Sequence, residues 1–309
     1  MKLTKSSNWI LGLLISALLS ACTTLPEPTP APSAEPIRWG LALGGGAARG
    51  FAHVGVIQAL EEAGLKPHAI VGTSAGSVVG VLYASGKSAA QLRQLATQLD
   101  EDTLTDWTLP FGNRAFLRGE ALAKYVNEQI KGKTLEELPI RMGVVSTDLG
   151  TGLPIVFERG DAGTAVRASS AVPGVFSPVK IGTREYVDGG LAAPVPVLQT
   201  KRMGVDKVIA VNISSPPSSE SPPDILRLLL QTFAIMGQSI NTWSLPQADW
   251  VITPQLQGIS GTDFAAREKA IQAGYLATKA VLPQLMAMLR PAGEITAATS
   301  ALANNSPQR

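Results

Sequence analysis

At 309 residues the chain can bury a full core as one large domain or two small ones. Its composition, 45% hydrophobic and 16% charged, is globular, and only 5% aromatic residues argue against a stacking surface for single-stranded nucleic acid. The formal charge is +2, and with Lys2 and Lys5 assigned to a removed leader the balance is near zero, which excludes a general nucleic-acid binder.

Residues 1–21 read as a secretory signal, with Lys2 and Lys5 before a short apolar stretch at 9–19. Leu19-Ser20-Ala21-Cys22 resembles the lipobox of bacterial lipoproteins, and Cys22 is the single cysteine of the chain. The resemblance implies acylation of Cys22 and attachment to a membrane of the bacterial cell envelope. Thr23 stands where an aspartate would resemble an inner-membrane retention signal, so the outer membrane is expected. No intramolecular disulfide can form from one cysteine. Residues 22–36 are too rich in proline to pack and read as a tether of roughly 3 Å per residue, about 40 Å in all. A single folded domain is expected over 37–290, followed by a disordered tail at 291–309.

Within the domain, 38–43 reads as a strand running into Gly44-Gly45-Gly46-Ala47-Ala48-Arg49-Gly50, and a helix follows through Phe51, Val54, Ile57 and Leu60 to a stop at Gly64. A second strand at 69–71 meets Gly72-Thr73-Ser74-Ala75-Gly76 and another helix to Ala84. This opening predicts a parallel α/β fold. Ser88 with Gln91 forms a capping-box pattern that opens a helix to about Leu99. Residues 100–118 are mixed, and a helix is predicted over 120–130. Strands are predicted at 140–147 and 154–157, a short helix at 163–171, and a hairpin of 175–181 with 185–187. Beyond it come a buried strand at 206–213, a flexible loop at 214–223, a helix from Asp224, a strand at 250–253 and a long helix over 263–289. Residues 100–118 and 214–246 are candidates for a mobile cover over an apolar site.

Chemistry concentrates at Ser74. In GTSAG the glycines at 72 and 76 flank the serine by two residues each, the spacing that a sharp strand-to-helix turn needs to expose a nucleophile. Histidine is the usual base, yet His53 and His68, the two in the chain, both precede Ser74, whereas α/β-hydrolases run serine, acid, histidine. Both are read as packing or surface residues. A carboxylate is the next candidate. Asp188, between Tyr186-Val187 and Gly189-Gly190, could take the serine proton if burial raised its pKa, though taken by itself a turn former is the better reading. Asp148 is the other aspartate near a strand end. The glycine loop at 44–50 offers backbone N–H groups that suit an anionic oxygen. A dinucleotide reading fails, because the run lacks G-x-G-x-x-G spacing, a P-loop lysine and an acidic end to the second strand.

The three pieces, GLALGGGAARGFAHVGVIQALEEAGL, IVGTSAGSVVGVLYASG and RASSAVPGVFSPV with YVDGG, resemble in order and spacing the bacterial patatin-like phospholipases. The resemblance covers about residues 39–213. It implies a three-layer α/β/α sandwich with a mainly parallel central sheet, and a Ser–Asp dyad of Ser74 and Asp188 without histidine. It also implies an oxyanion hole from Gly45, Gly46 and Ala47, with Gly44, Arg49 and Gly50 supporting the loop; Ala47 stands where the family usually has glycine. The implied substrate is a phospholipid or lysophospholipid ester, and no metal or organic cofactor is needed. An acyltransferase on the same dyad and a non-catalytic lipid-binding envelope lipoprotein are the alternatives.

Overall fold

The computed structural model describes residues 36–99, 106, 115–217 and 221–290. The leader, Cys22, nearly all of the tether, and the tail lie outside the described residues, as does most of 100–118. Pro36–Arg290 forms one compact unit.

Strands β1 (Trp39–Leu43), β2 (Ala69–Thr73), β4 (Arg141–Asp148), β9 (Lys207–Val211) and β10 (Trp250–Ile252) run parallel in the order β10-β9-β1-β2-β4. β8 (Arg184–Asp188) extends this sheet antiparallel to β4, and β7 (Val179–Ile181) follows β8. β5 (Pro154–Phe157) also pairs antiparallel with β4. The result is the mainly parallel central sheet expected from the alternation of strands and helices.

Side chains alternate across the sheet and divide the core in two. Leu41 and Leu43 face a thick helical layer, together with Ile209 and Val211. That layer contains α1 (Phe51–Glu62), α2 (Ala75–Ala84), α3 (Ala89–Gln98), α4 (Glu120–Gln129), α5 (Ala162–Ser169) and α8 (Arg267–Met288). Ala42, Val208 and Ala210 face the other way, onto Val195 and Val197 at the start of the short helix α6 (Val197–Arg202). The sandwich is therefore asymmetric, thick on one side and thin on the other.

Local signals held where the chemistry is local. Ser88 and Gln91 form both halves of the capping box that opens α3. The strand expected over 175–181 is instead two. β6 (Gly174–Phe176) leaves the main sheet and pairs in parallel with β3 (Ala115–Leu117), and Pro178, which has no N–H to donate, separates it from β7. Asp106 reaches across to the start of α4, where its carboxylate accepts the N–H groups of Gly119 and Glu120 at 2.6 and 2.7 Å. Within 214–246, the described part contains one long helix, α7 (Ile225–Ser244), capped by Asp224.

Candidate active site

Ser74 sits between the end of β2 and the first turn of α2 with φ +51°, a left-handed backbone that a residue other than glycine adopts only when its surroundings hold it there. The two elbow glycines make this turn possible. A Cβ at Gly72 would lie 2.4 Å from the carbonyl oxygen of Gly76, and one at Gly76 would lie 2.2 Å from that of Leu43. The strain is opposed by hydrogen bonds on both sides of the peptide. The Ser74 N–H donates to Ser169 Oγ at 2.8 Å, and that fully buried hydroxyl donates in turn to Val145 O on β4. The Ser74 carbonyl accepts the N–H of Ser77 at 2.8 Å and its hydroxyl at 2.6 Å.

Asp188 ends β8 directly opposite Ser146 of β4. Its backbone is fixed twice: the N–H donates to Ala171 O at 2.9 Å, and the carbonyl accepts Thr147 Oγ1 at 2.9 Å. The carboxylate accepts the Gly190 N–H at 2.7 Å, and the Ser74 hydroxyl stands near enough to lower its pKa. Only 4% of the residue is exposed. Burial pushes its carboxyl up to about 6, against the lowering by Gly190 and Ser74. Serine and aspartate, more than a hundred residues apart in sequence, are thus brought into contact.

The glycine loop lies beside them: a Cβ at Gly45 would come 3.2 Å from Ser74 Cβ, and one at Gly50 would come 2.6 Å from Ala75 Cβ. Its N–H groups are not equivalent. Gly44 donates to Val211 O at 3.1 Å, Gly45 to Pro194 O at 2.9 Å, and Ala48 to Gly261 O at 2.9 Å. Those of Gly46 and Ala47 have no partner among the described residues. The expectation for Gly45 as an oxyanion donor is therefore corrected, because its N–H anchors the loop to Pro194. Ala47 has φ +49°, so alanine adopts the left-handed turn that a glycine would accept without strain. The N–H of Ala75, at the start of α2, is also unpartnered among the described residues. Sequence reasoning overlooked Ala75, although the residue after the serine of such an elbow is a general donor. Ser169 and Pro194 were overlooked too, and no local pattern marks them.

The remaining charged and titratable residues have other tasks. His53 is fully buried on α1, its Nε2 lies 2.8 Å from Gly44 O, and burial lowers it to about 4, so the neutral ring donates to the loop. His68 is exposed at the far end of β2. Asp148 accepts Arg184 Nη1 at 2.7 Å and the N–H groups of Gly150 and Thr151, each at 2.9 Å; these hold it below the usual carboxylate range. Arg49 is 9% exposed and lowered by burial to about 10, so it stays protonated inside the loop. Among the described residues no cluster of three or more His, Cys, Asp or Glu could hold a metal ion.

The patatin-like phospholipase family model matches residues 41–201, about half of the chain and the stretch that contains Ser74, Asp188 and the glycine loop. The chain belongs to the patatin-like phospholipase family. It is 36% identical over 206 residues to an NTE family protein of Mycobacterium tuberculosis, covering 63% of this chain and 57% of that protein. A second NTE family protein of M. tuberculosis is 31% identical over 270 residues, covering 79% and 46% respectively. The patatin-like phospholipase domain-containing protein 6 of Mus musculus is 31% identical over 234 residues, covering 71% of this chain and 16% of the mouse protein. The chain thus spans about half the length of the mycobacterial relatives. Its fold resembles VipD from Legionella pneumophila, with a TM-score of 0.57 at 18% identity over 81% of this chain and 68% of that one.

Proposed function

We propose that this patatin-like protein is a serine acyl hydrolase that cleaves fatty acyl esters of membrane phospholipids or lysophospholipids. The observation that carries the reading is the contact of the Ser74 hydroxyl with a buried carboxylate raised to about 6. Such a group is ionised at neutral pH yet basic enough to accept a proton.

As Ser74 Oγ forms a bond to the ester carbonyl carbon, its proton passes to Asp188. The carbonyl electron pair moves onto oxygen, beside the unpartnered N–H groups of Gly46 and Ala47, with Ala75 as a further donor. Collapse of this intermediate breaks the ester C–O bond, and the leaving alcohol takes the proton from Asp188. Water then attacks the acyl-serine and gives its proton to Asp188. The second collapse releases the fatty acid, and Ser74 recovers its proton. Gly45, Arg49 and His53 keep the loop in place and take no proton in this scheme. Acylation of Cys22 would hold the enzyme at the cell envelope, where its substrate resides.

One labelling experiment tests both parts. Membranes from bacteria expressing the wild type are treated with a fluorophosphonate probe; the wild type is labelled in the membrane fraction, Ser74→Ala is not labelled, and Cys22→Ala is labelled but shifts toward the soluble fraction. Equal labelling of wild type and Ser74→Ala would overturn the nucleophile, and unchanged membrane retention of Cys22→Ala would overturn the anchor.

A further inference from the structure

α7 turns much of its apolar surface outward. In the twenty residues Ile225–Ser244 the only ionised side chain is Arg227. On the inner side, Leu226 and Leu229 reach Gly174 of β6, Gly237 lies over Pro194, and Asn241 Nδ2 donates to Ser214 Oγ at 3.0 Å. The helix also touches the turn Gly189–Leu191, directly after Asp188. The outer side carries Ile225, Leu228, Met236 and Trp243, which recur at helical spacing along one stripe; Ile225 is 78% and Trp243 80% exposed. Phe116, 50% exposed, lies on β3, whose partner β6 packs against α7.

We propose that α7 is the face on which the protein seats itself upon a phospholipid bilayer, with this stripe at the boundary between head groups and acyl chains. Three features favour a bilayer over a second copy of the chain. The first is charge. α7 carries no acidic side chain, and the exposed side chains of Arg227 on its first turn and of Arg118 after β3 are cations suited to anionic head groups. At that end Asp224 is occupied by capping the Arg227 N–H at 2.8 Å and pairing with its Nε at 3.6 Å. The second is Trp243 at the opposite end, an aromatic suited to the head-group level. The third is continuity with the site: the helix that bears the stripe packs on Pro194, which anchors Gly45, and on the turn after Asp188. Among the described residues no helix is long and apolar enough to cross a membrane, so α7 lies along the surface.

The proposal rests on the acyl-hydrolase reading for its purpose, but docking is measurable without turnover. With Cys22 the only cysteine, the full chain carrying Cys22→Ala accepts one new thiol for an environment-sensitive fluorophore. Thr232→Cys places it on the stripe, and Lys66→Cys places it on an exposed loop at the opposite end of the sheet. On addition of vesicles of phosphatidylcholine and phosphatidylglycerol, the probe at 232 shifts to the blue and is quenched by bromolipid, while that at 66 does neither. No response at 232, or equal responses at both positions, overturns docking through α7, as does a probe at 232 already buried in a dimer before vesicles are added.

A second measurement separates docking from chemistry. Leu228→Ser, Met236→Ser and Trp243→Ser together lower hydrolysis of vesicle lipid by about tenfold or more but leave a soluble short-chain ester unaffected. Equal loss on both substrates overturns the proposal. Docking of the probe at 232 together with hydrolysis of neither ester by the wild type overturns the acyl-hydrolase reading and leaves the docking face standing.

Discussion

Asp148 and Asp188 stand two residue pairs apart on neighbouring strands, are both almost fully buried, and are driven in opposite directions. Asp148 has an arginine and two backbone N–H groups arranged around it, and these hold its negative charge in place. Asp188 has one N–H and one serine hydroxyl, too few to offset the loss of water, so its carboxyl rises to about 6. Burial alone does not make a base; burial with few donors does. The strongest way to break this comparison is to neutralise each in turn. Asp188→Asn is expected to lower ester hydrolysis by about 10²–10⁴-fold, the usual range for a lost general base, whereas Asp148→Asn keeps most of its rate. Steady-state assays on a short-chain ester check both, and an equal loss in the two variants would end the distinction.

The motifs that identified Ser74 and Asp188 are short and local, which is why they were legible. GTSAG carries in its own glycines the room that the elbow needs, and Asp188-Gly189-Gly190 forms its own turn. The partners that tune these residues come from far along the chain and leave no periodic trace. Pro194 O takes the Gly45 N–H away from the proposed oxyanion hole, and Ser169 Oγ supports Ser74 from the end of α5. The division of 175–181 at Pro178 was misread because both halves are β-prone and only tertiary pairing sends β6 to β3. The outward stripe of α7 was equally hidden, since an apolar helix reads the same whether its outer face is covered or bare. Ser169 gives the next prediction in size. Ser169→Ala leaves the Ser74 N–H without its acceptor beside a strained φ, and is expected to lower kcat by about tenfold to a hundredfold with KM little changed. A raised KM with unchanged kcat would show that Ser169 shapes binding instead of the nucleophile.

A measurement of stability separates the two aspartates most directly, because their contributions run in opposite directions with pH. The folded-state pKa of Asp188, about 6, lies above the value of about 3.9 expected in the unfolded chain. The folded protein therefore binds the extra proton between these values. Its contribution is fully present below about pH 4 and is lost as pH rises through about 6, a change on the order of 3 kcal/mol. Asp148 lies below its unfolded value, so its contribution is present above about pH 4 and is lost as the solution is acidified. Thermal unfolding at pH 8 and pH 4 should show this crossing. Asp188→Asn melts above the wild type at pH 8, and the gain vanishes near pH 4; Asp148→Asn melts below it at pH 8 and approaches it in acid. A lower melting temperature for Asp188→Asn at pH 8 would mean that the carboxylate is satisfied in the folded state. It would then have no reason to draw a proton from Ser74, and the basis for assigning it as the base would be lost even if the variant were inactive.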